Sequence, residues 1–299
     1  MPNRPRFPSR PRLARTRLVV AGVVLAVATA GGCATRDPAD PADPADGGAK
    51  SGARSSGVPA GYPDSTNTGA SGPLRRHDGH MLVNRDNAVI ENLDIRGELR
   101  IYGDNARITN VRVESESDWV VLINGRGTVI EDSTFIGGDD SQASLAGTFV
   151  GRRLDLSGAS DGVKMQAGGE LYDSYIHDLC DKEGAHNDGI EAGKQVRLVH
   201  NTVLNPRSQT SAIMLSEYGS DPDTDVLVQD NLIGGGGYTF YGGAPDTARG
   251  HVVVGNLFTT RYYGNGGYYG AVAYWQPDGN TWSDNRWADG PQQGRLVRP

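Results

Sequence analysis

Nine residues, Gly184 to Ala192 (GAHNDGIEA), bring His186, Asp188 and Glu191 together. An imidazole titrates near pH 6.5 in water, so a neighbouring carboxylate can set it up to take or give a proton at ambient pH. The stretch therefore reads as a reaction centre, with His186 as general base or acid and Asp188 orienting it. A second stretch, Asp161 to Gln166 (DGVKMQ), has the same Asp-Gly-apolar-charged order and carries Lys164 where the first carries Glu191. If the two are neighbouring strands with Val163, Met165 and Ile190 facing inward, then Lys164, Gln166 and Glu191 face outward by alternation. Asp161 and Asp188 then hold the corner before each strand, and Arg207, in the loop that follows, reaches the same edge.

A histidine, an arginine, a lysine and three carboxylates in one patch suit a reaction on an acidic polysaccharide. In a lyase, Arg207 or Lys164 would neutralise a uronate carboxylate while His186 removed the adjacent carbon-bound proton. In a hydrolase the carboxylates would form the acid and base pair; adjacent coils suit a retaining separation, alternate coils an inverting one. An epimerase that never cuts needs much the same groups. A non-catalytic module that binds a glycan or another envelope component is the alternative from a different class. On the structural reading, Asn187-Asp188-Gly189 is a tight turn whose glycine supplies a positive φ, and Lys164 with Glu191 is an ordinary cross-strand ion pair.

Gln166, Tyr218, Tyr241 and Trp275 are the candidate substrate-binding residues. Gln166 faces outward beside Lys164, whereas Tyr241 and Trp275 belong to a C-terminal region enriched in aromatics, including Tyr238, Tyr262, Tyr263, Tyr268 and Tyr269, which could stack on sugar rings. Asp178, Asp181 and Glu183 offer oxygen ligands for calcium, but their spacing matches no fixed loop motif, and no metal or other cofactor is expected.

The elements that must position these residues are legible as a repeat. An apolar residue, a small or asparagine residue three positions on, and a second apolar residue two further recur. The copies are Ile90/Leu93/Ile95, Ile108/Val111/Val113, Ile130/Ser133/Phe135, Leu171/Ser174/Ile176, Leu198/Asn201/Val203, Val228/Asn231/Ile233, Val253/Asn256/Phe258 and Trp282/Asn285/Trp287. A weaker copy at Leu154/Leu156 fills the longest gap. Between copies lie alternating segments, among them Leu99/Ile101, Val121/Ile123, Ile213/Leu215 and Val272/Tyr274, expected to face the core at those positions. The pattern predicts an all-β chain, a single-stranded right-handed parallel β-helix of about nine to ten coils. Asn201, Asn231, Asn256 and Asn285 then occupy one position on successive coils, where their amides can form an internal ladder.

The segments GYPDSTNTG (Gly61 to Gly69), VIENLDIRGELRIYG, VRLVHNTVL, FYGG and GNTWSDNRW are similar to a group of secreted actinobacterial β-helix proteins of the pectate-lyase-like superfamily. The resemblance spans most of residues 61 to 299. It implies the fold firmly and the activity poorly. Neither the stacked aspartates with Gly-His-Gly of polygalacturonases nor the paired arginines of the main pectate lyases are found here, so neither mechanism transfers.

Arg4, Arg6, Arg10, Arg12, Arg15 and Arg17 precede an apolar run from Leu18 to Ala30 that is short for a membrane span, which reads as an export signal. The run ends in Ala30-Gly31-Gly32-Cys33, similar to a lipoprotein signal whose cysteine is acylated. Residues 1–33 are thus read as signal peptide, 34–60 as a disordered proline, alanine and aspartate tether, and 61–299 as the β-helix domain. Only Cys180 remains after Cys33, so the domain is expected to rely on packing without an intramolecular disulfide. A net charge of −7 argues against nucleic acid as a partner. The expectation is a monomer on the extracellular face of the membrane, held by a lipid alone, with a polysaccharide as its substrate.

Overall fold

The computed structural model describes residues 57–180, 185–215, 224–243 and 247–299. These residues form a right-handed parallel β-helix in which every strand pairs in parallel with the equivalent strand of the next coil. The strands lie on three faces. On the first, eight pairings join nine levels, from Met81–Val83 to Gly270–Ala273. The second also has nine, from Val89 to Thr281–Ser283. The third has ten, from Arg75–Asp78 to Arg286–Trp287.

The repeated apolar positions stack inside as single-residue columns. Leu99, Val121, Leu145, Val163, Ile190, Ile213 and Phe240 succeed one another along the first face, all fully buried. The second-face column is broken once, at Gly151. A Cβ there would lie 2.8 Å from Leu171 Cδ1 and 2.9 Å from Leu154 Cδ1, so the weaker copy of the repeat fills the space of the missing side chain.

The asparagine ladder forms as the repeat requires. Asn201, Asn231 and Asn256 each donate from Nδ2 to the Oδ1 of the next asparagine at 3.0, 2.9 and 2.8 Å, ending on Asn285. Each of those Oδ1 atoms also accepts the backbone N–H of the preceding asparagine. Above the ladder, Ser174 N donates to Asn201 Oδ1 and Leu154 N to Ser174 Oγ, so the small residues of earlier copies continue the same column. The residue before each position of this column has a positive φ, 48 to 55° at Asp173, His200, Asp230 and Asp284 and 70° at Gly255, which turns the chain sharply between the second and third faces. Asp and Asn tolerate this left-handed region better than most residues.

A segment from Gly57 runs along this same corner before entering the first coil. Tyr62 stacks on His200 at 5.3 Å, Gly69 N donates to Arg153 O, and Ser71 N to Asn110 Oδ1. At the C-terminal end, Val297 is buried, its N–H donates to Asn285 O, and its carbonyl accepts Trp282 Nε1. Cys180 is buried, with its Sγ 3.2 Å from Asp139 Oδ1, and Cys33 lies outside the described residues.

Candidate functional site

The two similar stretches form neighbouring strands of the first face, Asp161–Met165 and Ile190–Ala192, with Lys164 and Glu191 as direct partners. Lys164 Nζ lies 2.6 Å from Glu191 Oε2 and 2.8 Å from Asp161 Oδ2. Burial alone would lower the lysine pKa, but the two carboxylates outweigh it and hold the ammonium above the ordinary lysine range. Lys164 is therefore a fixed positive charge and no base.

Asp161 and Asp188 are not exposed corner residues, as alternation suggested; both are buried, at 3% and 2% exposure. The reason lies in the glycine after each. A Cβ at Gly162 would stand 2.3 Å from Ile176 Cγ2, and one at Gly189 would stand 2.4 Å from both Val203 Cγ1 and Ala212 O. Gly189 is absent from the positive-φ glycines, so it serves close approach between coils and supplies no turn. The chain drawn in at these points carries the aspartates with it. Asp188 N donates to Asp161 Oδ1 at 2.8 Å, and Ser211 donates to Asp188 Oδ1 from both N, at 3.1 Å, and Oγ, at 2.5 Å. An axial series Asp161, Asp188, Ser211 results, beside the series Lys164, Glu191, Met214, Tyr241.

Burial raises the Asp188 carboxyl to about 6; the Ser211 hydroxyl pulls it down and the neighbouring Asp161 pushes it further up. Asp161 is raised as well, by burial, with Lys164 opposing. One carboxyl of this site thus changes protonation near neutral pH, which is where acid and base catalysis is effective.

His186 does not join them. It is exposed and makes no hydrogen bond among the described residues, whereas the Asp188 carboxylate faces inward to Ser211. The expected pairing of His186 with Asp188 is therefore absent from the structure. Arg207 is also directed elsewhere: its Nε donates to Leu179 O at 2.8 Å, and its charge is felt by Asp178 and Tyr263. Gln166 is exposed just beyond the end of its strand, and Tyr218 lies outside the described residues.

Of the aromatic candidates, Tyr241 stands in the Glu191 column and its hydroxyl feels the Asp188 charge. Trp275 instead packs inward on Phe240 and Trp282. Tyr274, expected to face the core, is 62% exposed. Its φ of 56° breaks the strand alternation and lays its ring on Tyr241 at 5.5 Å. Tyr238 meets Tyr241 edge-on at 5.6 Å and Tyr269 at 5.8 Å, so four tyrosines form a continuous surface beside the acidic pair.

A second cluster escaped sequence reasoning. On the third face, His177 is held between Asp178 Oδ2 at 2.7 Å and Asp155 Oδ1 at 2.9 Å and stacks on Tyr175 at 4.0 Å. Burial works against its charged form, but the two carboxylates win and raise it to about 9. Asp178, one of the three calcium candidates, is engaged in this pair; Asp181 and Glu183 lie outside the described residues. The pairing of Asp155 with His177 needs strands 22 residues apart, and no local signal announces it.

No family model, curated protein or solved structure matches the chain.

Proposed function

We propose that this protein is a polysaccharide-cleaving enzyme of the pectate-lyase-like superfamily that works outside the cell, with hydrolysis favoured over elimination. The observation that carries the reading is Asp188, a carboxyl raised to about 6, set beside Glu191 and the fixed charge of Lys164 on rigid strands next to a tyrosine surface. A glycosidase needs two carboxyl functions. Glu191, on the outward side of its strand and paired with Lys164, is the one that can meet a glycosidic oxygen, and Asp188, buried behind it against Ser211 and coupled to it by charge, positions it. Elimination from a uronate is less well supported, because Lys164 is matched by two carboxylates and Arg207 is directed away.

The test is a panel of acidic and neutral polysaccharides incubated with the full chain, scoring reducing ends and unsaturated ends together. Release of saturated reducing ends, reduced 10²-fold or more by Asp188→Asn with no loss of melting temperature, is the expected result. Unsaturated ends would restore the lyase. The near-complete burial of Asp161 and Asp188 favours one other reading, a glycan-binding module whose acidic pair is structural. Binding without cleavage of any member of the panel would place that reading first.

Anchoring is proposed on the residues before Cys33 and the polar tether after it. A diacylated cysteine carries two chains and holds a membrane well, whereas a single chain is marginal.

A further inference from the structure

The two ends of the solenoid are finished differently. At the C-terminal end the last segment folds back over the final coil: Leu296 bridges to Arg286, Val297 is buried, and its carbonyl accepts the Trp282 indole N–H. At the other end the first coil consists of Arg75–Asp78 on the third face, Met81–Val83 on the first and Val89 to Glu91 on the second. Among the described residues each of these pairs with the coil below and with nothing above. Met81 and Val83 head the columns of Leu99 and Ile101, which are fully buried, yet both stay partly exposed for want of a further coil. Leu82 and Val89 are each 61% exposed. An open rim of this kind offers its unpaired N–H and C=O groups to another strand, and a stack of repeats ordinarily ends in a polar cap.

The rim is guarded unevenly. Arg75 and His77 take the inward positions that Leu93 and Ile95 hold one coil on, and inward-pointing charge discourages strand addition on the third face. Met81–Val83 has neither charge nor proline to blunt it. The chain before Gly57 is poorly suited to cover it. A Cβ on Gly57 would lie 2.9 Å from an Arg261 guanidinium nitrogen, near the closed end, and residues 34–56 contain no apolar side chains other than alanine and proline.

We propose that a second copy of this chain covers the open end, so that two solenoids join through their first coils about a two-fold axis. The pitch of the coil selects the axis. The rim is one turn of a spiral, highest at Arg75–Asp78, intermediate at Met81–Val83 and lowest at Val89 to Glu91. An axis through Met81–Val83 sets the high strand of each copy over the low strand of the other and keeps the gap equal on all three faces, whereas an axis through either other face leaves it uneven. The strands then meet antiparallel. Leu82 faces Leu82 of the second copy, and Met81 faces its Val83. With His77 opposite Ile90 of the second copy, Arg76 meets its Glu91, so both the apolar and the charged parts of the rim are self-complementary. This dimer takes the place of the expected monomer and is independent of the enzymatic reading.

The experiment is sedimentation velocity on the full chain carrying Cys33→Ala, which removes the proposed acylation site. One solenoid end is small for an interface, so a dimer is expected at about 100 µM and should dissociate on dilution. Leu82→Glu, which sets like charges against each other on the axis, should weaken the dimer tenfold or more without changing the melting temperature. Arg76→Glu should weaken it as well, and adding Glu91→Arg should restore it. Leu82→Cys should form an intermolecular disulfide under mild oxidation, because directly opposed residues of antiparallel strands lie within bridging distance, while Leu296→Cys at the closed end should not. A monomer at about 100 µM, a dimer indifferent to Leu82→Glu, or cross-linking at Leu296→Cys in place of Leu82→Cys would each overturn the proposal.

Discussion

Asp188 and His177 are buried ionisable groups displaced in opposite senses relative to their preferred charge, and their pH signatures differ accordingly. The folded state raises Asp188 from 3.8 to about 6, so it retains a proton that the unfolded chain has lost. Its contribution to stability is therefore greatest below pH 3.8 and declines as the pH rises through about 6. The full swing is on the order of 3 kcal/mol. Asp188→Asn, which keeps an acceptor for Ser211, should gain stability over the parent at pH 8 and lose that advantage near pH 4, as melting curves at the two pH values would show. His177 is raised from 6.5 to about 9, so its contribution is fully present below pH 6.5 and is lost as the pH rises through 9. His177→Gln should destabilise the protein in urea titrations at pH 6.5 and cost much less at pH 10. A cost independent of pH would mean that the ring packs on Tyr175 without its charge mattering.

At the scale of the element, the ladder and the glycine-mediated approach of coils set the position of the first face. Asn231→Leu removes an acceptor from both the Nδ2 and the N–H of Asn201, and a donor from Asn256 Oδ1 and Leu198 O. Each orphaned buried group costs about 1 to 3 kcal/mol, so the loss should be several kcal/mol. Asn187 is no control for this experiment, although its place in a turn-like sequence suggested one. It is fully buried and donates to Cys180 O at 2.6 Å, so Asn187→Leu should also be damaging. Gln166→Leu, on an exposed residue, is the proper comparison and should be close to neutral. Gly189→Ala tests the other device. Its methyl would meet the Ala212 carbonyl and Val203, which the coil can relieve only by moving Ile190–Ala192 outward. A melting temperature lowered by several degrees is expected, with Glu191 and Lys164 drawn apart.

For the whole molecule, the solenoid converts sequence repetition into an axial ruler: each coil advances a side chain by about 4.8 Å without altering its direction. The same rigidity makes the attachment of the chain matter. Anchoring at Cys33 is tested by Cys33→Ala, which should release the protein into the medium; retention of the variant with the cells would overturn the proposed anchor.

The solenoid was legible in the residues because its determinants are local and repeated. Ile90, Leu93 and Ile95 recur in kind eight times, and a period-two strand with an inward asparagine leaves the chain few ways to bury both. The partnership of Lys164 with Glu191 followed from the same arithmetic, since equal positions on adjacent coils must touch. What the tertiary structure alone decided was direction at the departures from the repeat. Gly162 and Gly189 draw Asp161 and Asp188 inward because the coils pass too closely for a Cβ, and so His186 is left without its expected partner. A left-handed residue at Tyr274 reverses which of two neighbouring aromatics faces solvent. These outcomes depend on the shape of the next coil, Val203 and Ala212 against Gly189 or Phe240 and Trp282 against Trp275, and no spacing within a single stretch records that shape.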